Sequence, residues 1–201
     1  MQSSGKRCAG SSVGLICPLV FVGGITERKQ PHLLIEAIGL LHKRGLKCQL
    51  AIVGPDQEPP YTERMKHRAR EVGVESQVIW FGFTQDIGPL FRASDVIGLP
   101  SANEGMPAAL VEAMASSIPS IVTAISGTTD LVIDGQHGRV VTADPAHIAE
   151  ALAHYLKNPE AARLQGQVAR DKVLRQYSTA VVLQAYERLF RRVMAGGDAA
   201  E

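Results

Sequence analysis

The sequence predicts an α/β fold built on a doubly wound, Rossmann-like parallel sheet. Three observations predict it. Short apolar runs alternate with helix-patterned segments along almost the whole chain. Those runs are near-continuously apolar rather than alternating, as in strands covered on both faces. Several helical segments also open on proline, whose missing N–H costs nothing in a first turn.

The strand candidates are residues 19–22, 49–53, 78–81, 95–99, 120–123 and 139–141. Helical patterns fall between and after them. Residues 31–44 carry Leu33, Leu34, Ala37, Ile38 and Leu41 on one face, whereas 61–72 is polar and reads as a solvent-facing helix. Residues 107–116 are almost wholly apolar, and 145–156, 159–174 and 178–194 close the chain. Ser178 is a plausible N-cap for the last, which stops before Gly196 and Gly197. In that helix Val182, Leu183, Tyr186, Leu189, Phe190 and Val193 form a stripe wide enough for more than one contact surface, so part of it is expected to be exposed.

A length of 201 residues suits one such domain, assigned to 15–195 between a polar tail at 1–14 and a second tail at 196–201. A net charge of +1 leaves no footprint for nucleic acid. Lys6 and Arg7 ahead of an uncharged stretch outline a signal peptide, but Gly, Ser and Pro18 interrupt it, and it is too short and polar to span a bilayer. Cys8, Cys17 and Cys48 are odd in number and lack a C-x-x-C, which fits a reducing, cytoplasmic compartment. The six histidines have no zinc-site spacing, and no metal is expected.

Ligands of doubly wound sheets bind at the carboxyl ends of the strands. The most informative stretch, residues 99–115, lies at such an end: LPSANEGMPAALVEAMA. A strand stops near Leu99, a short loop carries Glu104, Gly105 allows close backbone approach, and Pro107 opens a helix. Free N–H groups and the positive end of that helix suit a diphosphate. Glu112 is the only charge in the helix, among Ala108, Ala109, Ala115 and Ser116. Its carboxylate needs water or a polar partner, and ribose hydroxyls would serve. As bland alternatives, Glu112 is an exposed helix residue and Glu104 a loop acid. A glycosidase pair fits less well: the helical rise sets the two backbones roughly 12 Å apart, against about 5–9.5 Å between glycosidase carboxyl groups.

Glu104 and Glu112, seven residues apart in this context, resemble the E-x7-E signature of retaining GT-B glycosyltransferases of the large family-four class. Phe21-Val22-Gly23 through Lys29, Ile52-Val53-Gly54, Phe81-Gly82-Phe83, Ala93-Ser94-Asp95-Val96 and Asp134-Gly135 with Gly138 fall in the family's order, so the resemblance covers about residues 19–192. It implies the C-terminal, donor-binding half of a GT-B fold, with a nucleotide-diphosphate sugar as donor substrate and no separate cofactor. Glu104 is then the catalytic acid beside the donor sugar, and Glu112 holds the ribose. Backbone groups at Gly105 and Met106 face sugar or phosphate, and Lys29, in the loop begun by Gly23, grips the diphosphate. The family's neighbouring arginine is replaced by Gly24, which removes a bidentate phosphate fork. Arg28, adjacent to Lys29, could compensate for that fork, but beside Glu27 it reads more simply as a solvated loop charge. Phe83, Thr84 and Ile87 flank the base, unless Phe83 is core. Thr128, in Gly127-Thr128-Thr129-Asp130, is either a further donor contact or an N-cap.

The family's acceptor domain normally precedes this region, so the resemblance further implies a fragment, a truncated reading frame or one subunit of a split enzyme. Its partners would be an unidentified acceptor and possibly a separate acceptor-domain chain, and alone it should be inactive. Metal-dependent GT-A enzymes use D-x-D, which does not occur here. The alternatives are a non-catalytic nucleotide-binding module and a GT-B epimerase. A dehydrogenase is disfavoured, because no G-x-G-x-x-G follows the first strand.

Overall fold

A computed structural model describes residues 16–195. The tails assigned to 1–14 and 196–201 lie outside the described residues. Six strands, β1 (Ile16–Val22), β2 (Lys47–Val53), β3 (Val78–Gly82), β4 (Val96–Leu99), β5 (Ser120–Thr123) and β6 (Gly138–Val141), form one sheet in the order β3-β2-β1-β4-β5-β6. Every pairing is parallel. All six apolar runs are therefore strands. The chain steps outward from β1 to β3, returns to the centre for β4, and steps outward again to β6. Its direction reverses between β1 and β4, and a crevice opens at the carboxyl ends of that pair.

The helices are α1 (His32–Lys43), α2 (Pro59–Glu71), α3 (Gly88–Ala93), α4 (Ala108–Ala115), α5 (Ser126–Thr129), α6 (Pro145–Lys157), α7 (Pro159–Gln176) and α8 (Thr179–Met194). α1 buries Leu33, Leu34, Ile35, Ala37, Ile38 and Leu41 and packs on β2, α2 and α6. α4 packs on β4, β5 and α7 through Leu110, Ala113 and Met114. With β4 wholly buried, these helices fix the strand ends that carry the site.

Three expectations change. The 61–72 segment is not simply solvent-facing: α2 starts two residues earlier, with Pro59 and Pro60 in its first turn, and buries Tyr61, Thr62, Met65 and Ala69. α3 was not expected; its six residues begin with Gly88-Pro89, a pair that reads as a turn. Phe83 is exposed, not core. The expected exposed stripe is present: α8 buries no residue, and Leu183 and Phe190 are 62% and 61% exposed. Among the described residues no helix is long and apolar enough to cross a membrane.

Candidate functional site

Two loops meet over the carboxyl ends of β1 and β4. After β1, Gly23 N–H donates to Val53 O at 2.9 Å and Ile25 N–H to Pro55 O at 2.9 Å. Thr26 then caps a single 3-10 turn, Glu27–Lys29, its hydroxyl accepting from Lys29 N–H at 3.4 Å. The turn ends at Gln30, held at φ 50°. Arg28 and Lys29 thus sit side by side. After β4, Ala102 N–H donates to Arg28 O at 2.8 Å and joins the two loops.

The side chains complete the junction. Lys29 Nζ lies 2.6 Å from Glu104 Oε1, and Ser101 Oγ donates to the same oxygen at 2.8 Å. Their side chains are 17% and 8% exposed for Lys29 and Glu104, so this ion pair is largely screened from water. Thr123 Oγ1, at the end of β5, donates to Ser101 O at 2.5 Å and ties the loop to a third strand. Gly23 gives the lysine stem room: a Cβ there would stand 3.0 Å from Lys29 Cδ.

Gly127 supports the Glu104 loop from behind. A Cβ on it would stand 1.8 Å from Gly105 O and 2.5 Å from Glu104 O. On the other side, Gly105 has open space where its Cβ would be, and Met106 is exposed. α4 begins at Ala108, one residue later than expected. Pro107 is its cap, with extended backbone, and no side chain caps the helix. The first N–H groups of a helix lack intrahelical partners, so this end remains open to an anion. Glu112 follows on the second turn of α4, exposed and opposite the buried face. Among the described residues its carboxylate has no ion-pair partner.

The structure therefore brings Gly23, Lys29, Glu104 and Gly105 together, with Met106 beside them and Glu112 farther along α4. It does not bring Thr128 to them as a side-chain ligand. Thr128 is fully buried, and its hydroxyl lies 2.5 Å from Thr123 O and 2.9 Å from Ile125 O. It caps the β5–α5 turn and has no atom left for a donor. Arg28 is a correction of the opposite kind. Its Nη1 donates to Asn103 O at 2.6 Å and lies 3.8 Å from Glu104 Oε2, so it belongs to the site. The sequence signal for it was only the Arg28-Lys29 doublet. Gly24 stands beside Gln57, whose Oε1 would be 2.1 Å from a Cβ at that position.

Two cavities are lined by none of Arg28, Lys29, Glu104 or Glu112. One, of about 450 Å³, is lined by Cys17, Asp95, Tyr155 and Arg163; the other, of about 640 Å³, lies between α1 and α2 and is lined by His32, Tyr61 and Arg64. In the second, Tyr61 Oη is 2.7 Å from His32 Nδ1; burial raises the phenol to about 12 and lowers the imidazole from its ordinary range. The candidate site is an open face instead.

The family described as "Glycosyl transferases group 1" matches residues 18–172. The D-inositol 3-phosphate glycosyltransferase of Corynebacterium glutamicum (strain R) is 28% identical over 183 residues, covering 88% of this chain and 44% of that protein. The putative glycosyltransferase EpsD of Bacillus subtilis (strain 168) is 29% identical over 158 residues, 78% of this chain and 41% of that one. The chain thus spans less than half the length of these curated relatives. Among solved structures, Anabaena HepE in complex with UDP-glucose superposes with a TM-score of 0.80 at 22% identity, over 87% of this chain and 48% of that one. The C-terminal domain of the group 1 glycosyl transferase LpcC from Francisella tularensis superposes with a TM-score of 0.74 at 22% identity, over 81% of this chain and 87% of that domain. The fold is that of the C-terminal half of a GT-B protein.

Proposed function

The chain belongs to the group 1 glycosyl transferases, and from that membership we propose that it is the donor-binding half of a retaining, metal-independent glycosyltransferase. The observation that carries the proposal is the 2.6 Å contact of Lys29 Nζ with Glu104 Oε1 across the β1–β4 crevice, beside the uncapped start of α4. The Glu104 carboxylate neutralises the lysine. A nucleoside-diphosphate sugar would offer Lys29 a phosphate in its place and leave Glu104 beside the sugar.

Glycosyl transfer develops positive charge on the sugar and negative charge on the departing diphosphate. Glu104 meets the first as the catalytic carboxylate. Lys29 and the N–H groups at Gly105, Met106 and the start of α4 meet the second, without a metal. Glu112, exposed and without an ion-pair partner among the described residues, takes the ribose hydroxyls. Solved HepE structures that hold UDP and UDP-glucose support a nucleotide sugar as the ligand class. The free, buried thiols of Cys17 and Cys48 suit a reducing, cytoplasmic setting. An open half-cleft neither excludes water nor positions an acceptor, so transfer needs an acceptor-binding half, in the same chain or a separate one.

A second reading, a nucleotide-binding module that does not catalyse, is favoured by Gly24, which withholds a phosphate fork. Calorimetry with UDP, GDP and ADP tests binding. Combining the chain with the acceptor-binding half of a relative tests transfer. Binding without transfer supports the second reading, and absence of binding overturns both.

A further inference from the structure

We propose that Arg28 supplies the guanidinium that position 24 lacks, as a second cationic ligand for the sugar-proximal phosphate; this rests on the donor-site reading above. Four observations lead to it. First, no cation can come from residue 24 as the chain stands: it is glycine, and the Gln57 carboxamide fills the space beside it. Second, Arg28 is held against the Glu104 loop at both ends. Its carbonyl accepts from Ala102 N–H at 2.8 Å and its Nη1 donates to Asn103 O at 2.6 Å.

Third, the neighbour expected to neutralise Arg28 is engaged elsewhere. Glu27 pairs with Arg64, and its own N–H donates to Glu58 Oε2. Among the described residues Arg28 is left with Glu104 as its one ion-pair partner, at 3.8 Å from Oε2, and Lys29 already holds the other oxygen of that carboxylate. Two cations facing one carboxylate leave the cluster with an excess of one positive charge, which an anion would neutralise. Arg68, by contrast, bridges two carboxylates, Glu36 and Glu71.

Fourth, Arg28 has donors to spare. A guanidinium carries five N–H groups, and Asn103 O takes one. Its side chain is 53% exposed, so a ligand can reach the guanidinium. Since Glu104 is the group placed beside the sugar, cations gathered at its carboxylate should meet the phosphate next to the sugar. A nucleoside monophosphate lacks that phosphate.

The test is calorimetry on the whole chain with UDP, GDP and ADP and their monophosphates, comparing wild type, Arg28→Gln, Arg28→Lys and the double variant Arg28→Gln with Gly24→Arg. For the diphosphate that wild type binds most tightly, Arg28→Gln should weaken affinity by roughly ten- to a hundredfold, with the matching monophosphate changed far less. Arg28→Lys should fall between, because an ammonium cannot form the bidentate fork. Gly24→Arg in the Arg28→Gln background should restore part of the loss, as the exposed Gln57 swings aside. Unchanged diphosphate affinity in Arg28→Gln would overturn the assignment. So would an equal loss for di- and monophosphate, the signature of a residue that only pins the loop. Failure of wild type itself to bind any diphosphate is a different result, and overturns the donor-site reading instead.

Discussion

Replacing Gly127 by alanine should disturb Glu104 without touching its side chain. The new Cβ would stand 1.8 Å from Gly105 O, 2.5 Å from Glu104 O and 2.7 Å from Gly105 C, all backbone atoms. Carbon contacts become comfortable only near 3.4 Å, so the loop must retreat by about 1.6 Å. A retreat on that scale carries Glu104 out of hydrogen-bond range of Lys29 and Ser101, now at 2.6 and 2.8 Å. Overpacking of this kind costs about 1–3 kcal/mol, or roughly 2–4 °C in Tm per kcal/mol for a chain of this size. Gly105→Ala is the control on the other side of the same loop. Its Cβ meets nothing and its φ is not in the left-handed region, so stability should stay within about 0.5 kcal/mol. The methyl would occupy the space assigned to the donor, so nucleoside-diphosphate affinity should still fall, by roughly tenfold. Thermal melts and calorimetry on both variants decide the matter. Gly127→Ala with wild-type Tm and affinity would refute the reasoning.

Other outcomes follow from the same geometry. Lys29→Met should lose roughly ten- to a hundredfold in diphosphate affinity by calorimetry, the range of a charge-assisted contact. Glu104→Gln should bind UDP or GDP no more weakly than wild type, because the carboxylate competes with phosphate for Lys29; a tenfold loss would contradict that competition. The double variant Leu183→Asp, Phe190→Asp should melt within about 2 °C of wild type, since α8 buries nothing. His137 Nδ1 accepts Ile133 N–H at 3.1 Å, and burial, aided by Lys172, lowers its pKa below the ordinary 6.5. The unfolded chain therefore binds this proton more readily. Stability should be full above pH 7 and decline as pH falls through 6.5 toward the folded-state value, and His137→Gln should flatten that part of a Tm–pH profile.

Much of the fold was legible because strands buried on both faces announce themselves as apolar runs. β5 was read to the residue, and the other strands within three at either end. α2 was misjudged because its buried residues, Tyr61, Thr62, Met65 and Ala69, include a threonine and an alanine among many charges. α3 is too short for periodicity to show. In the site, Lys29, Glu104 and Gly105 were legible from local context. Arg28 was legible as a candidate phosphate ligand but read more simply as a solvated charge, because its partners lie 75 residues away at Asn103 and at Glu104 next to it, while the adjacent Glu27 offered a plausible neutraliser that folding assigns to Arg64. Thr128 misled for a similar reason: its hydroxyl is claimed by carbonyls of its own turn. Gly127 showed no sign in sequence of its contact with the Glu104 loop, which exists only once β4 and β5 lie side by side.

A crystal structure of the chain with a bound nucleoside diphosphate tests the central claim most directly. The account predicts the diphosphate against Lys29 and the start of α4, with the Lys29–Glu104 contact opened and the ribose hydroxyls on Glu112. A nucleotide seated in the α1–α2 cavity by His32 and Tyr61, or one leaving Lys29 on Glu104 and Glu112 in solvent, would contradict it.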